Sequence, residues 1–72
     1  MYSICIDKAD GTVLAGLAEA RNAVRGTGIT VVEEDGIPGR WLAELPQHLA
    51  DQLNGVGYFE VNSGGYQIFA EA

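Results

Sequence analysis

The sequence is poor in metal-binding side chains and has no long apolar segment. It contains one cysteine and one histidine, whereas a structural zinc site needs about four such ligands. A zinc site within one chain and an internal disulfide are both excluded, and a single free cysteine favours the reducing cytoplasm. Apolar runs fall far short of the roughly 20 residues that cross a bilayer. The start, Met1 to Asp7, lacks the basic and apolar segments of a signal peptide, so we expect a cytoplasmic chain that does not enter a membrane.

Basic side chains are also scarce. Four Lys and Arg residues stand against ten Asp and Glu residues, so the net charge is −6 at pH 7 and the sequence pI is about 4.3. A negative field repels phosphate groups, and we therefore expect no direct binding of nucleic acid and no attraction to anionic membranes. Solubility alone accounts for such a charge. A partner with a basic groove would also suit it, with this chain acting as a nucleic-acid mimic.

The length limits the size of the core. The chain has 72 residues, and 47% of them are hydrophobic. A domain of this size buries only about 60% of the surface that its unfolded chain exposes, so oligomerisation is a reasonable expectation. No linker, repeat or low-complexity tract interrupts the sequence. We predict a single domain over residues 1–72.

The first half of the sequence predicts a strand, a helix and a second strand. Residues 2–7 alternate between apolar and polar side chains, as half-buried strands do. The Asp10-Gly11 pair is ambiguous, because it suits a hairpin turn followed by a return strand as well as a helix with Thr12 as its N-cap. Apolar residues at helical spacing favour a helix over 12–25. The β-branched segment 28–33 predicts the second strand.

The second half predicts a helix and a β-hairpin. The segment from Pro46 to Leu53 has leucines at four-residue spacing, and Trp41 to Leu45 is either a short strand or the approach to this helix. Residues 57–62 and 66–71 alternate, and Ser63-Gly64-Gly65 joins them with hairpin turn chemistry. The order β-α-β-α-β-β predicts an α+β domain. Two helices would cover one side of a mainly antiparallel sheet of three to four strands.

The alternation assigns each hairpin side chain to one of two faces. Pairing Val61 with Tyr66 also pairs Phe59 with Ile68, and these four side chains form one apolar face. The same register places two pairs on the opposite face: Tyr58 with Phe69, and Glu60 with Gln67. Tyr58 and Phe69 are either anchors for a partner or part of a second buried layer, and both interpretations stay open.

No cluster of side chains predicts catalysis or a cofactor. His48 has no serine or cysteine near it in sequence and is predicted to lie on the surface, while Cys5 is predicted to be a small, half-buried side chain. The segment 7–11 lacks the carboxylates of a calcium loop, and Gly26-Thr27-Gly28 lacks the Gly-Lys-Ser/Thr ending of a phosphate loop. We expect no enzyme activity, no cofactor and no bound metal.

Binding is the function class that remains. The acidic segment 33–36 is predicted to be a solvated turn, and Glu60 and Glu71 flank the aromatic pair. Trp41 is interpreted as a lid that closes the open end of the sheet, or as an anchor on a loop, and whether it belongs to an interface or to the core stays open. The predicted partner-binding residues are Glu33, Glu34, Asp35, Trp41, Tyr58, Glu60, Phe69 and Glu71.

Together these features predict a small acidic protein-binding module that inhibits or modulates a partner with a basic surface. By analogy alone, it resembles the compact acidic inhibitors that phages use against host defences, including CRISPR complexes. The alternative is a structural or assembly subunit that self-associates through a sheet edge or the hairpin face. Salt-dependent association with a basic partner would favour the first function, and salt-insensitive self-association would favour the second.

Overall fold

The computed structural model describes residues 1–70, in which two helices lie against one antiparallel sheet. The elements within these residues are β1 (Tyr2–Lys8), α1 (Leu17–Ala23), β2 (Thr30–Glu34), β3 (Arg40–Glu44), α2 (Gln47–Val56), β4 (Tyr58–Val61) and β5 (Tyr66–Ala70). Across the sheet, the five strands of this part of the chain follow the order β2-β3-β1-β5-β4. The predicted α+β class is confirmed. The predicted strand number and element order are wrong, because they omit β3.

β1 lies at the centre of the sheet, between β3 and β5. Its side chains alternate as predicted, with Ile4 and Ile6 fully buried. Ile4 stands opposite Trp41 of β3 and Ala70 of β5, and Ile6 stands opposite Ile68. The first strand of the chain therefore organises the core through cross-strand pairs on both of its sides.

The segment after β1 is a turn, so the predicted helix over 12–25 is wrong at its beginning. Asp10 Oδ1 accepts hydrogen bonds from the Thr12 N–H at 3.0 Å and from the Thr12 hydroxyl at 2.7 Å. Val13 then forms an isolated antiparallel bridge with Asp7. This local turn and the bridge return the chain to β1, so the first of the two alternatives for Asp10-Gly11 describes the turn more closely.

α1 is correspondingly short. Gly16, with φ −169°, is extended and precedes the first helical residue. Glu19 Oε2 accepts a hydrogen bond from the Ala15 N–H at 2.9 Å, which satisfies one amide at this helix start. Ala20 and Ala23 are buried and face the sheet, so small side chains allow the helix to approach it closely.

β2 and β3 form a hairpin at one side of the sheet. The segment for which the sequence left two interpretations open is the strand β3, with Trp41 buried. The register between the two strands shifts between Val31 and Glu33, which is a β-bulge. Glu33 and Glu34 belong to β2, so the predicted turn over 33–36 is wrong for these two residues.

α2 extends further than predicted. Pro46 is its N-cap, and the helix continues to Val56, beyond the predicted end at Leu53. Asn54 and Gly55, which follow the predicted end, lie inside the helix. The helix ends at Gly57, whose φ of +87° is left-handed and whose N–H donates to the Leu53 carbonyl at 3.0 Å.

The β4–β5 hairpin has the predicted register. The four cross-strand pairs are Tyr58–Phe69, Phe59–Ile68, Glu60–Gln67 and Val61–Tyr66. Its turn contains Asn62 and Ser63 with φ of +54° and +58°. The Asn62 side-chain amide donates a hydrogen bond to the Ala23 carbonyl, so α1 holds this turn in place.

The core lies between the helices and one face of the sheet. Its buried cluster consists of Ile4, Ile6, Leu14, Ala20, Ala23, Val24, Ile29, Val31, Trp41, Ala43, Leu49, Leu53, Phe59, Val61 and Ile68. Trp41 is 0% exposed and belongs to this cluster, so of the two alternatives left open for it, interface or core, the structure places it in the core. Trp41 fills the core because its strand alternation directs it toward the helices.

Candidate interaction surface

The sheet face turned away from the helices is the candidate interaction surface, which we call the open face. The cross-strand register and the alternation along each strand show which side chains lie on this face. Its residues are Ser3, Cys5, Asp7, Thr30, Glu33, Arg40, Leu42, Glu44, Tyr58, Glu60, Gln67 and Phe69. Each of them is half-buried or exposed, in contrast to the buried side chains on the helix side.

A row of three uncharged side chains and one arginine crosses the middle of the open face. It runs from Tyr58 through Phe69 and Cys5 to Arg40, one residue from each of four neighbouring strands. At about 4.8 Å between strands, the row is about 14 Å long. The rings of Tyr58 and Phe69 have centroids 6.2 Å apart, and Tyr58 remains 46% exposed. The pair lies outside the core and presents aromatic surface to solvent.

Carboxylates flank this row on both sides. On one side, Asp7 and Glu60 stand at the two ends of a row that has Gln67 between them. On the other side, Glu33 stands opposite the half-buried Leu42. Glu44 extends the acidic rim at the far end of β3. Aromatic and apolar groups inside a polar rim are the usual composition of a protein-binding surface.

Arg40 is the cation of the open face, and its charge is already compensated. Its Nε lies 3.4 Å from Asp35 Oδ2, and the same oxygen accepts a hydrogen bond from the Ser3 hydroxyl at 2.6 Å. Asp35 thus fastens the β2–β3 turn to the start of β1. The open face keeps a net negative charge, since Asp7, Glu33, Glu44 and Glu60 add to this neutral pair.

The predicted partner-binding residues do not all meet on one surface. The structure brings together Tyr58, Phe69, Glu60 and Glu33 on the open face. Glu34 stands opposite Trp41, on the other side of β2, because neighbouring residues of a strand alternate between its two faces. Asp35 binds Ser3 and Arg40 of the open face, where it compensates the charge of the arginine, and Trp41 is in the core. Glu71 lies outside the described residues.

Sequence reasoning did not identify Leu42, Asp7 and Glu44 as part of this surface. Leu42 lies between Trp41 and Ala43, so three successive apolar side chains concealed the alternation of β3. The signal that could have revealed it is the hairpin turn at Pro38-Gly39, which places a strand directly after it. With β3 recognised as a strand, Leu42 and Glu44 fall on the face opposite the tryptophan.

The groups with shifted pKa values lie outside the open face, near the turn after β1 and the start of α1. Lys8 Nζ lies 3.0 Å from Glu19 Oε1, which joins β1 to α1. The hydrogen bonds from the Ala15 N–H and from Lys8 lower the pKa of Glu19 below its usual 4.5, and the hydrogen bond to Glu19 raises the pKa of Lys8. Hydrogen bonds from the hydroxyl and N–H of Thr12 lower the pKa of Asp10. These groups stabilise the turn after β1 and the start of α1.

The sheet separates the side chains that nucleophilic chemistry would require together. Cys5 is half-buried on the open face, as predicted, with Arg40 and Phe69 as its cross-strand neighbours. His48 is exposed, also as predicted, and lies on α2 at the opposite side of the sheet. Within residues 1–70, no group of three or more His, Cys, Asp or Glu side chains is arranged around a common metal position.

A groove of about 500 Å³ lies between α2 and β4, at the outer edge of the sheet. Its lining comes from the second half of the helix and from the strand, and consists of Asp51, Gln52, Gly55, Val56, Tyr58, Phe59 and Glu60. Val56 is 69% exposed at its rim. The sequence does not predict this groove, because the predicted helix ends before Val56.

Comparison with protein-family models, with curated protein sequences and with solved structures gives no match to this chain. Neither helix in the part of the chain that the structure describes is long and apolar enough to span a membrane. The geometry of the open face and of the groove is therefore the basis for a functional proposal.

Proposed function

We propose that this chain is a small, non-enzymatic protein-binding module that inhibits or modulates a partner with a basic surface. The observation that carries the proposal is the open face, where carboxylates flank a row containing Tyr58 and Phe69. Aromatic anchors supply most of the binding free energy in such interfaces, and complementary charge increases the association rate. The lone cysteine, Cys5, is compatible with action in a reducing cytoplasm.

The finer proposal concerns the nature of the basic surface. Net charge of −6 repels nucleic acid and attracts surfaces that bind nucleic acid. Occupation of such a groove would make the chain a nucleic-acid mimic, as phage-type inhibitors of host defences are. Competition between this chain and DNA or RNA for the same partner tests this point, since both cannot occupy one groove.

The test of the proposed function begins with a pull-down from the native host, followed by mass spectrometry and kinetic measurement of binding to the purified partner. Glu33→Lys changes the charge of the open face, and Glu34→Lys makes the same change in net charge on the other side of β2. We expect Glu33→Lys to slow association more than Glu34→Lys does and to flatten the salt dependence, because screening limits a charge's influence to about 8–10 Å.

Tyr58→Ala is expected to raise the dissociation rate instead, because it removes an aromatic anchor and leaves the charge that steers association unchanged. Thermal melting of each variant checks that its fold is intact, since exposed charges contribute little to folding. Equal binding by wild type, Glu33→Lys and Tyr58→Ala would place the working surface elsewhere and contradict the proposal.

A further inference from the structure

The two edge strands of the sheet are protected to different degrees. At β2, Arg21 Nε donates to the Val31 carbonyl at 3.0 Å, and Arg21 Nη2 donates to the Val32 carbonyl at 3.3 Å. The bulge after Val31 distorts the same strand. Side-chain capping and bulges are devices that prevent an edge strand from pairing with another chain. The β2 edge is therefore closed to an additional strand.

The β4 edge carries no such cap. The Ala70 N–H donates to the Gly57 carbonyl at 3.4 Å, so the main-chain carbonyl of Gly57 points toward β5. Along β4, every second residue after Gly57 then also points its main-chain groups toward β5. Phe59 and Val61 point their N–H and carbonyl groups toward β5, whereas Tyr58 and Glu60 point theirs away from the sheet. Within residues 1–70, no hydrogen bond from another element reaches these outward groups.

The groove beside this edge offers side-chain contacts to a chain that pairs there. In an added strand, side chains alternate between the open face and the helix side. On the open face they would meet Tyr58 and Glu60. On the helix side they would enter the groove of about 500 Å³, where Val56 supplies exposed apolar surface and Asp51 supplies a carboxylate.

The charge of the groove selects the kind of segment that fits it. Asp51 and Glu60 are both exposed carboxylates. Three of the four cations of the chain are engaged at other places: Lys8 with Glu19, Arg40 with Asp35, and Arg21 with the carbonyls of β2. A second copy of this chain would bring the same two carboxylates to the edge. A segment with Lys or Arg side chains would compensate them.

We propose that the β4 edge takes up an extended, lysine- or arginine-bearing segment of the partner as an additional strand of the sheet. This inference rests on the proposed function, because it takes the basic character of the partner from it. Main-chain hydrogen bonds to Tyr58 and Glu60 hold the segment, and the carboxylates Asp51 and Glu60 select its basic side chains. Strand addition to an exposed edge is a common mode of peptide recognition.

Amide hydrogen exchange of the isotope-labelled protein tests the proposal with two synthetic peptides. One peptide alternates lysine and valine. The control has the same sequence with every main-chain nitrogen methylated, so it has the same charge but no main-chain N–H to donate to a ladder. We expect the first peptide to slow exchange of the Tyr58 and Glu60 amides by about tenfold or more, since their N–H groups become hydrogen bonded. The Phe59 and Val61 amides, already bonded to β5, should change little.

Two variants locate the binding. Glu60→Pro removes an outward N–H, at a position where an edge strand tolerates proline, and Asp51→Lys reverses a charge of the groove on the exposed side of α2. Each is expected to lower the affinity for the lysine–valine peptide by about tenfold, which is a change of about 1.4 kcal/mol in the binding free energy. Glu34→Lys, with the same charge change as Asp51→Lys, should weaken it less. If Glu60→Pro unfolds the protein, Asp51→Lys still tests whether the peptide binds at this edge.

The other outcomes overturn the proposal in distinguishable ways. Equal binding of both peptides, lost at about 150 mM salt, would show attraction by charge without strand addition. Protection of Tyr58 and Glu60 that rises with protein concentration in the absence of peptide would assign the edge to a second copy. Binding weakened by Glu33→Lys but not by Asp51→Lys would refute the edge and leave the open face as the working surface. Binding of neither peptide at low salt would refute strand addition at this edge, while the proposed function is decided separately by the binding kinetics of Glu33→Lys and Tyr58→Ala with the purified partner.

Discussion

Replacing Phe59 with alanine is expected to remove a large share of the stability of this chain. Phe59 is 4% exposed, stands opposite Ile68 in the hairpin and belongs to the core cluster. Truncation of a buried phenylalanine costs about 3–5 kcal/mol, because the transfer free energy is lost and a cavity remains. At roughly 0.05–0.15 kcal/mol per residue, 72 residues provide about 4–11 kcal/mol in total. The variant should therefore be close to unfolding.

Fluorescence of the single tryptophan measures this loss during urea unfolding. Trp41 is fully buried, so unfolding moves it from the core into water. With a slope of about 1 kcal/mol per molar urea, a loss of about 3 kcal/mol lowers the midpoint by about 3 M. Phe59→Leu retains most of the side-chain volume and should cost about 1 kcal/mol, which provides a folded reference if the alanine variant shows no transition.

The neighbouring residue supplies the matched control. Glu60 lies on the open face and is exposed, so Glu60→Ala should change the free energy of unfolding by no more than about 0.5 kcal/mol. A cost for Glu60→Ala as large as that for Phe59→Ala would refute the assignment of the two faces. A shift of one residue in register exchanges every side chain of a strand between the faces, so the pair of measurements is decisive.

Three further predictions follow from single contacts. Arg21→Ala should produce concentration-dependent self-association in size-exclusion chromatography, because it uncovers the edge of β2. Gly57→Ala should lower the free energy of unfolding by about 1–2 kcal/mol in a urea titration, because φ is +87° while no other group obstructs a Cβ there. Glu19→Gln should flatten the loss of stability below about pH 4.5. The lowered pKa of Glu19 means that its contribution is complete above that pH and is lost as the pH falls through the folded-state pKa.

The hairpin was predictable from sequence because its local and tertiary signals agree. Alternation in both segments and a glycine-rich turn require the same register, and burial of Phe59 and Ile68 on the helix side stabilises that register. The placement of Tyr58 and Phe69 on one face followed directly. Alternation within the hairpin does not show which face of the sheet the helices cover. That depends on the path of the segments that connect the helices to the strands.

The helix at 12–25 was predicted too long because a helical spacing of apolar residues competed with stronger local chemistry. The Asp10 side chain bonds to Thr12, Val13 pairs with β1, and Gly16 is extended, so the helix begins only at Leu17. Val13, which lies within the predicted helix 12–25, is 54% exposed. Pairing with an existing strand, which a periodicity argument does not include, determined the conformation here.

The apolar side chains of the open face lie outside the buried core. Residues on the helix side, such as Trp41 and Ile6, are fully buried and maintain the core. Tyr58, Phe69 and Leu42 retain exposed surface and have no helix over them, although polar side chains would serve a solvated strand face equally well. Scattered apolar residues on a surface are ordinary, but Tyr58 and Phe69 are direct cross-strand neighbours within an acidic rim. Such a patch offers contact area to a partner, which is the reason for proposing binding as the function of this face.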